Sequence, residues 1–252
     1  MRFGICTGVE NAKLIKDIGY DYIELPLNKV GLLSEEEFKA LKHTLDESGL
    51  NAETFCLLLP KTLSLFAENF KTEDLISYLD LAFSRMQQLS GQIAVFGSGK
   101  SRQFPISLSY GQAFLTLIDL TKLIVKEAEK YGIIIVIEPL NHGETNLINS
   151  VSEAAMLASL TGAQLLSDAF HMRKENEDLS IITLVKSLTH VHIATKEGRR
   201  FPIEYNEEVA SFFSALKTIN YDLRISIEGK TENFEEDARL ALEVLKRACK
   251  EN

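Results

Sequence analysis

Three carboxylates and one imidazole punctuate four successive apolar runs in the second half of the chain. Glu138 follows Ile133-Ile134-Ile135-Val136-Ile137, Asp168 follows Ala163–Ser167, His192 lies within Thr189–Thr195, and Glu228 follows Leu223–Ile227. Three carboxylates brought to one place repel one another, and a buried charge without a partner costs several kcal/mol. A divalent cation resolves that conflict. An oxygen-rich set with one imidazole suits a six-coordinate ion such as Mn²⁺, Mg²⁺ or Co²⁺ better than the Cys/His sets of structural zinc, and leaves positions for substrate oxygens. Three anionic ligands around a dication leave a local charge of about −1, so a neutral polyol or ketone enters more easily than an anion.

Such residues do chemistry only if something aligns them. Eight β-type runs alternate with helical patterns along the chain: Arg2–Thr7, Tyr22–Leu27, Ala52–Leu58, Gln92–Gly97, Ile133–Pro139, Ala163–Ala169, Thr189–Thr195 and Leu223–Glu228. At about 32 residues per unit, each is the size of a βα repeat. Runs such as Ile133–Ile137 are apolar on both faces, as parallel strands covered inside and outside must be. The expectation is an α/β protein, a single (β/α)₈ TIM barrel domain over residues 1–252, with catalytic groups at the C-terminal ends of its strands. A doubly wound open sheet is the alternative, but it calls for a Gly-rich first turn, and Thr7-Gly8-Val9-Glu10 is not one.

The helices carry their own end signals. Ser34-x-x-Glu37 is a capping box before an apolar stripe of Phe38, Leu41 and Leu45, and Gly49 stands where a left-handed residue ends the helix. Gly132 ends the segment from Gly111 in the same manner. The last helix places Phe234, Ala238, Ala241, Leu245 and Ala248 on one face. Ile18-Gly19-Tyr20-Asp21 and Ile219-Asn220-Tyr221-Asp222 form an internal echo, each joining a helix to a strand that carries a Glu.

Composition narrows the function classes. The 252 residues are 45% hydrophobic and 25% charged, so disorder is excluded and there is ample material for one large core without disulfides. A net charge of −9 disfavours nucleic acid as a partner. No apolar run reaches the roughly 20 residues of a membrane span, and the first residues lack a signal peptide's apolar stretch. A cytoplasmic protein with no membrane partner is expected. Cys6, Cys56 and Cys249 have no Cys-x-x-Cys spacing, so reduced and mostly buried thiols are the default.

Ile137-Glu138-Pro139-Leu140-Asn141 with Glu144-Thr145-Asn146, then Asp168-Ala169-Phe170-His171-Met172, His190-Val191-His192 and Ile227-Glu228 resemble the xylose isomerase-like sugar isomerase/epimerase superfamily. The D-tagatose 3-epimerase and D-psicose (allulose) 3-epimerase branch is the most similar, and Gly97-Ser98-Gly99 with Arg102 and Pro105 recurs there. The resemblance implies that Glu138, Asp168, His192 and Glu228 hold one divalent metal, Mn²⁺ first, with Mg²⁺, Co²⁺ or Zn²⁺ as alternatives. It implies that Glu144 and His171 contact a sugar, and that Glu138 and Glu228 are the acid/base pair on opposite faces of a bound ketose. The ion would polarise a carbonyl and a neighbouring hydroxyl and so lower the cost of an ene-diolate. The family's Arg six residues after the metal His is Gly198 here. One extra loop residue puts Arg199 in the sugar-binding role, because Arg199-Arg200-Phe201-Pro202 keeps the Arg-x-x-Pro spacing. The family's usual Asp in this loop is Thr195, its Gly-rich stretch after the Pro is Ile203–Asn206, and its Thr beside Asp168 is Ala169.

The implied activity is a metal-dependent ketose epimerase or isomerase. An inosose dehydratase-like or aldose–ketose isomerase reaction on the same metal site is the alternative, a non-catalytic sugar-binding relative is the reading from a different class, and the sequence leaves monomer and homo-oligomer both open.

Other residues have plainer readings. His190 shares the inward face with His192 one layer deeper, as a hydrogen-bonded core histidine. Glu24 either faces the pocket or pairs with a barrel Lys or Arg. Cys6 forms a small apolar wall at the mouth. Asp168 is favoured as a ligand over a helix cap because Phe170, His171 and Met172 intervene before the next helix. The loop after the third strand carries Leu63, Leu65, Phe66 and Phe70, apolar enough to lid the pocket or join a subunit interface. Gly97-Ser98-Gly99-Lys100-Ser101 approaches a phosphate-binding loop, but Pro105 would break the helix that motif needs.

Overall fold

The computed structural model describes residues 1–185 and 188–251. Each apolar run becomes a strand: β1 (Arg2–Cys6), β2 (Tyr22–Pro26), β3 (Ala52–Cys56), β4 (Ile93–Phe96), β5 (Ile134–Ile137), β6 (Gln164–Asp168), β7 (Leu188–Ile193) and β8 (Arg224–Ile227). Each strand pairs in parallel with the next, and β8 pairs with β1, closing a barrel in chain order. Closure decides against the open sheet. The strands end slightly earlier than the apolar runs suggest, so Glu138 and Glu228 are the first residues past β5 and β8.

Helices follow the local signals. Ser34 accepts the Glu37 N–H at 3.2 Å while the Ser34 N–H donates to Glu37 at 2.7 Å, and Gly49 turns left-handed at φ 66°. A second capping box, Ser109 with Gln112, opens the helix Tyr110–Glu129. The internal echo is a shared turn. Gly19 and Asn220 have positive φ, and the following Tyr20 and Tyr221 donate their N–H groups back to Ile15 and Leu216. Gly132 with Ile133 and Ser90 with Gly91 repeat the same closure, in which a left-handed residue satisfies carbonyls at a helix end. Four helices are thus returned to the sheet by one device.

The main core lies between barrel and helices, and a separate buried cluster of Ile93, Val95, Val136 and Leu166 lies apart from it. Val136 and Leu166 sit two residues before Glu138 and Asp168, on the same faces of their strands. The apolar cluster therefore forms the floor beneath the carboxylates. At the opposite rim Glu53 accepts from Arg2 at 2.7 Å and from Arg224 at 2.6 Å, tying the first and last strands together.

The apolar loop after β3 packs on its own barrel. Leu65 is buried and donates its N–H to the Ser101 carbonyl at 2.8 Å, Phe66 meets Phe104 edge-on, and Leu63 and Phe70 lie against the main core. Gly99–Arg102 forms a single four-residue helical turn, too short for a phosphate-binding loop. Cys6 and Cys56 sit in the barrel, whereas Cys249 is exposed, against the expectation of mostly buried thiols.

Candidate metal centre and sugar pocket

Glu138, Asp168, His192 and Glu228 converge at the C-terminal mouth. One ligand atom from each lies within 4.8 Å of all the others. His192 Nδ1 stands 3.2 Å from Glu138 Oε1 and 3.2 Å from Glu228 Oε2. Asp168 caps the helix Ala169–Lys174 after all, its Oδ1 accepting the Phe170 N–H at 2.7 Å. Phe170, His171 and Met172 are that helix's first turn rather than a spacer, which corrects the sequence reading. Asp168 Oδ2 is left buried without a hydrogen bond, with His171 Nε2 at 3.5 Å and Arg199 at 3.6 Å. A buried carboxylate oxygen aimed at two further carboxylates and an imidazole nitrogen is what a divalent cation requires, so the donor set fits one.

The charges shape one another. Burial, and then the charge of Glu228, push the Glu138 carboxyl above its ordinary range. Burial also raises Glu228, but His192 and Arg199 outweigh it and hold that carboxyl at about 2. Burial alone would lower the Arg199 guanidinium; the facing carboxylates, Glu228 first, raise it instead.

Glu138 is held from two sides. A Cβ on Gly97 would come within 2.0 Å of Glu138 Oε2, so only glycine lets β4 pass that close. Gly97→Ala is expected to turn the Glu138 carboxylate away from His192 and to cost about 1–3 kcal/mol by overpacking. A crystal structure of the variant with that carboxylate unmoved would contradict this. On the other side Arg102, fully buried, donates to the carbonyls of Phe96 at 3.0 Å, Glu138 at 2.7 Å and Ile148 at 3.4 Å. Arg102 thereby fixes the ends of β4 and β5. The sequence reading noted Arg102 only as a recurring residue, because a side chain bonding to backbone leaves no pairing pattern in the sequence.

Glu144, His171 and Arg199 surround the mouth. Gly198 and Arg199 both adopt positive φ, 71° and 50°, which turns the Arg199 side chain inward. Its guanidinium donates to Glu228 Oε2 at 2.7 Å and Glu144 Oε1 at 3.2 Å, passes 3.4 Å from His171 Nε2 without a bond to it, and lies over the Phe170 ring at 4.8 Å. Arg200 points to Glu232 on the surface. The structure thus brings Arg199, and not Arg200, into the pocket. His171 Nδ1 accepts the Asn141 backbone N–H at 3.1 Å, so its remaining proton belongs on Nε2, facing Asp168 and the pocket. A cleft of about 230 Å³ adjoins Glu144, lined also by Asn28, Leu57, Lys61 and Ser98.

Below this layer His190 is fully buried, as expected, and bonds to Glu24. Glu24 pairs with His190 and His192 and not with a Lys or Arg, which corrects one of its two readings. Burial raises its carboxyl, but the two imidazoles overturn this and hold it well below the usual range. Cys6 Sγ sits 4.0 Å from His192 Nε2, a wall of the site.

The chain is 23% identical over 235 residues to 3-dehydro-D-guloside 4-epimerase of Escherichia coli (strain K12), covering 88% of this chain and 87% of that protein. It superimposes on D-allulose 3-epimerase of Methylomonas sp. in complex with D-allulose with a TM-score of 0.84 at 22% identity, over 98% of this chain and 97% of that one. Against the apo 3-keto-D-glucoside 4-epimerase of E. coli the TM-score is 0.79 at 21% identity, over 98% and 99%. No helix among the described residues is long and apolar enough to cross a membrane. The model of the family described as xylose isomerase-like TIM barrel matches residues 12–248, and the chain belongs to that family.

Proposed function

We propose that the protein is a divalent-metal-dependent epimerase of a polyhydroxy ketone, acting at the carbon next to the carbonyl. The observation that carries this reading is the convergence of Glu138, Asp168, His192 and Glu228 around a buried, unbonded Asp168 oxygen. The names of the similar proteins share one chemistry: a 3-epimerase of a ketose and a 4-epimerase of a 3-keto sugar both invert the centre beside a ketone. That common factor favours epimerisation over dehydration or aldose–ketose isomerisation.

Glu138, Asp168, His192 and Glu228 would hold the ion, with Mn²⁺ the best match to three carboxylates and one imidazole. The chemistry a bound divalent ion supplies here is Lewis acidity at the ketone oxygen and the neighbouring hydroxyl. Glu138 and Glu228 follow strands three apart around the barrel, and on this reading they address a flat intermediate from different sides, as the family resemblance implies. One carboxylate takes the carbon-bound proton, and the other returns a proton to the opposite face. Glu144, His171 Nε2 and the Arg199 guanidinium orient the sugar hydroxyls.

The test is incubation of free ketoses and 3-keto-glycosides in D₂O with Mn²⁺, followed by chelation and NMR. One deuterium beside the ketone in both epimers is expected. Label at C1 of the ketose or at C2 of an aldose would replace the epimerase reading with an isomerase one, and no label in any sugar would remove both. Dialysis against EDTA is expected to abolish the exchange and added Mn²⁺ to restore it; exchange that survives chelation would rule out the metal.

A further inference from the structure

Glu24, from β2, belongs neither to the four-donor set nor to the sugar-contacting residues, yet it is fully buried and its carboxylate bonds to side chains from three other strands. Its Oε1 lies 2.9 Å from His192 Nε2. Its Oε2 lies 2.7 Å from His190 Nε2, 2.8 Å from Thr54 Oγ1 and 2.5 Å from Ser226 Oγ. The Ser226 hydroxyl is itself within 2.9 Å of the Tyr22 hydroxyl. β7, β3 and β8 thus all supply groups that converge on one carboxylate, which leaves it no freedom to rotate.

We infer that Glu24 is the positioning residue of the metal centre: it holds the His192 proton on Nε2 and so presents Nδ1 to the ion. This rests on the metal-dependent reading above. An imidazole nitrogen either carries a proton or lends its lone pair. Both ring nitrogens face carboxylates. A cation held by Glu138, Asp168 and Glu228 takes the Nδ1 lone pair, and the one proton left on the ring is then the one that Glu24 accepts from Nε2 at 2.9 Å. Nδ1, 3.2 Å from both Glu138 Oε1 and Glu228 Oε2, keeps its lone pair for a cation. The anion behind the ring also increases the ring's donor strength, and removing such a partner typically weakens metal binding 10–100-fold. Glu24 is on β2 and His192 on β7, three strands apart through β1 and β8, so the contact is a strut across the barrel interior.

Two measurements test this. The first is Mn²⁺ affinity, read as free Mn²⁺ by EPR, for the wild type, Glu24→Gln and Thr54→Val. Glu24→Gln keeps the shape and removes the charge; Thr54→Val removes a contact to Oε2 and leaves the His192 contact in place. Binding about 10–100-fold weaker in Glu24→Gln and nearly unchanged in Thr54→Val, with both metal-free variants showing cooperative melting, is expected. Equal affinity of Glu24→Gln and wild type, or equal losses in the two variants, would overturn the inference. The second measurement is NMR of the Mg²⁺-loaded wild type with ¹⁵N-histidine, which does not depend on any variant folding. A slowly exchanging proton on His192 Nε2 is expected, and a proton on Nδ1 would overturn the inference. A wild type that binds no divalent ion at all would instead overturn the metal-dependent reading itself.

Discussion

Glu228→Gln is expected to lower epimerisation by about 10²–10⁴-fold in saturating Mn²⁺, with the fold intact. The amide preserves the volume of a side chain that is only partly exposed, and it can still accept from Arg199, now 2.7 Å away. What it cannot do is take or give the carbon-bound proton. Because the two carboxylates are proposed to serve opposite faces, the loss should be asymmetric. Glu228→Gln is expected to retain solvent exchange with one epimer, Glu138→Gln with the other, and neither to interconvert the two. Deuterium incorporation measured from each epimer separately decides this. If both variants exchanged both epimers at the wild-type rate, the acid/base assignment would be lost.

Arg102→Met is expected to destabilise the protein by about 3 kcal/mol or more. Methionine fills much of the same volume but leaves the Glu138 carbonyl without its donor, a loss of about 1–3 kcal/mol, and takes one of two donors from the carbonyls of Phe96 and Ile148, which keep the N–H groups of Glu138 at 3.3 Å and Leu140 at 3.1 Å. Part of that is offset because a buried guanidinium is itself costly. Burial lowers Arg102 to about 10, which still leaves it charged at neutral pH. For a chain of this size the change corresponds to a melting temperature lower by about 6–12 °C. A shift below about 2 °C would show that the carbonyls find other partners and that Arg102 does not secure the end of β5.

Much of the architecture was legible because its signals are local. Ile133–Ile137 is apolar on both faces wherever it is met, and Ser34 with Glu37 caps a helix without help from the rest of the chain. The four candidate ligands were legible for a related reason: a charged residue ending an apolar run conflicts with its surroundings unless something compensates it. The Arg-x-x-Pro spacing favours Arg199 over Arg200 without deciding between them; the positive φ of Gly198 and Arg199, which the sequence does not show, is what separates their directions. Glu24 was not legible to the same degree. Its partners sit on three other strands, and which residues share a level inside a barrel depends on the stagger of the ladder, which no single run encodes. Asp168 shows the opposite error. Cap and ligand are not exclusive, because a carboxylate has two oxygens and here uses one to start a helix and leaves the other unbonded.

All four donors stand on strand ends or one residue beyond, whereas Arg199 and Glu144 are carried by the connections above them. On the proposed reading, rewriting those connections while keeping Arg199, which also grips Glu228, is expected to change the clientele with the four donors left in place. Variants with grafted segments around residues 141–147 or 196–203 are therefore the natural library for redirecting this scaffold to differently shaped carbohydrates.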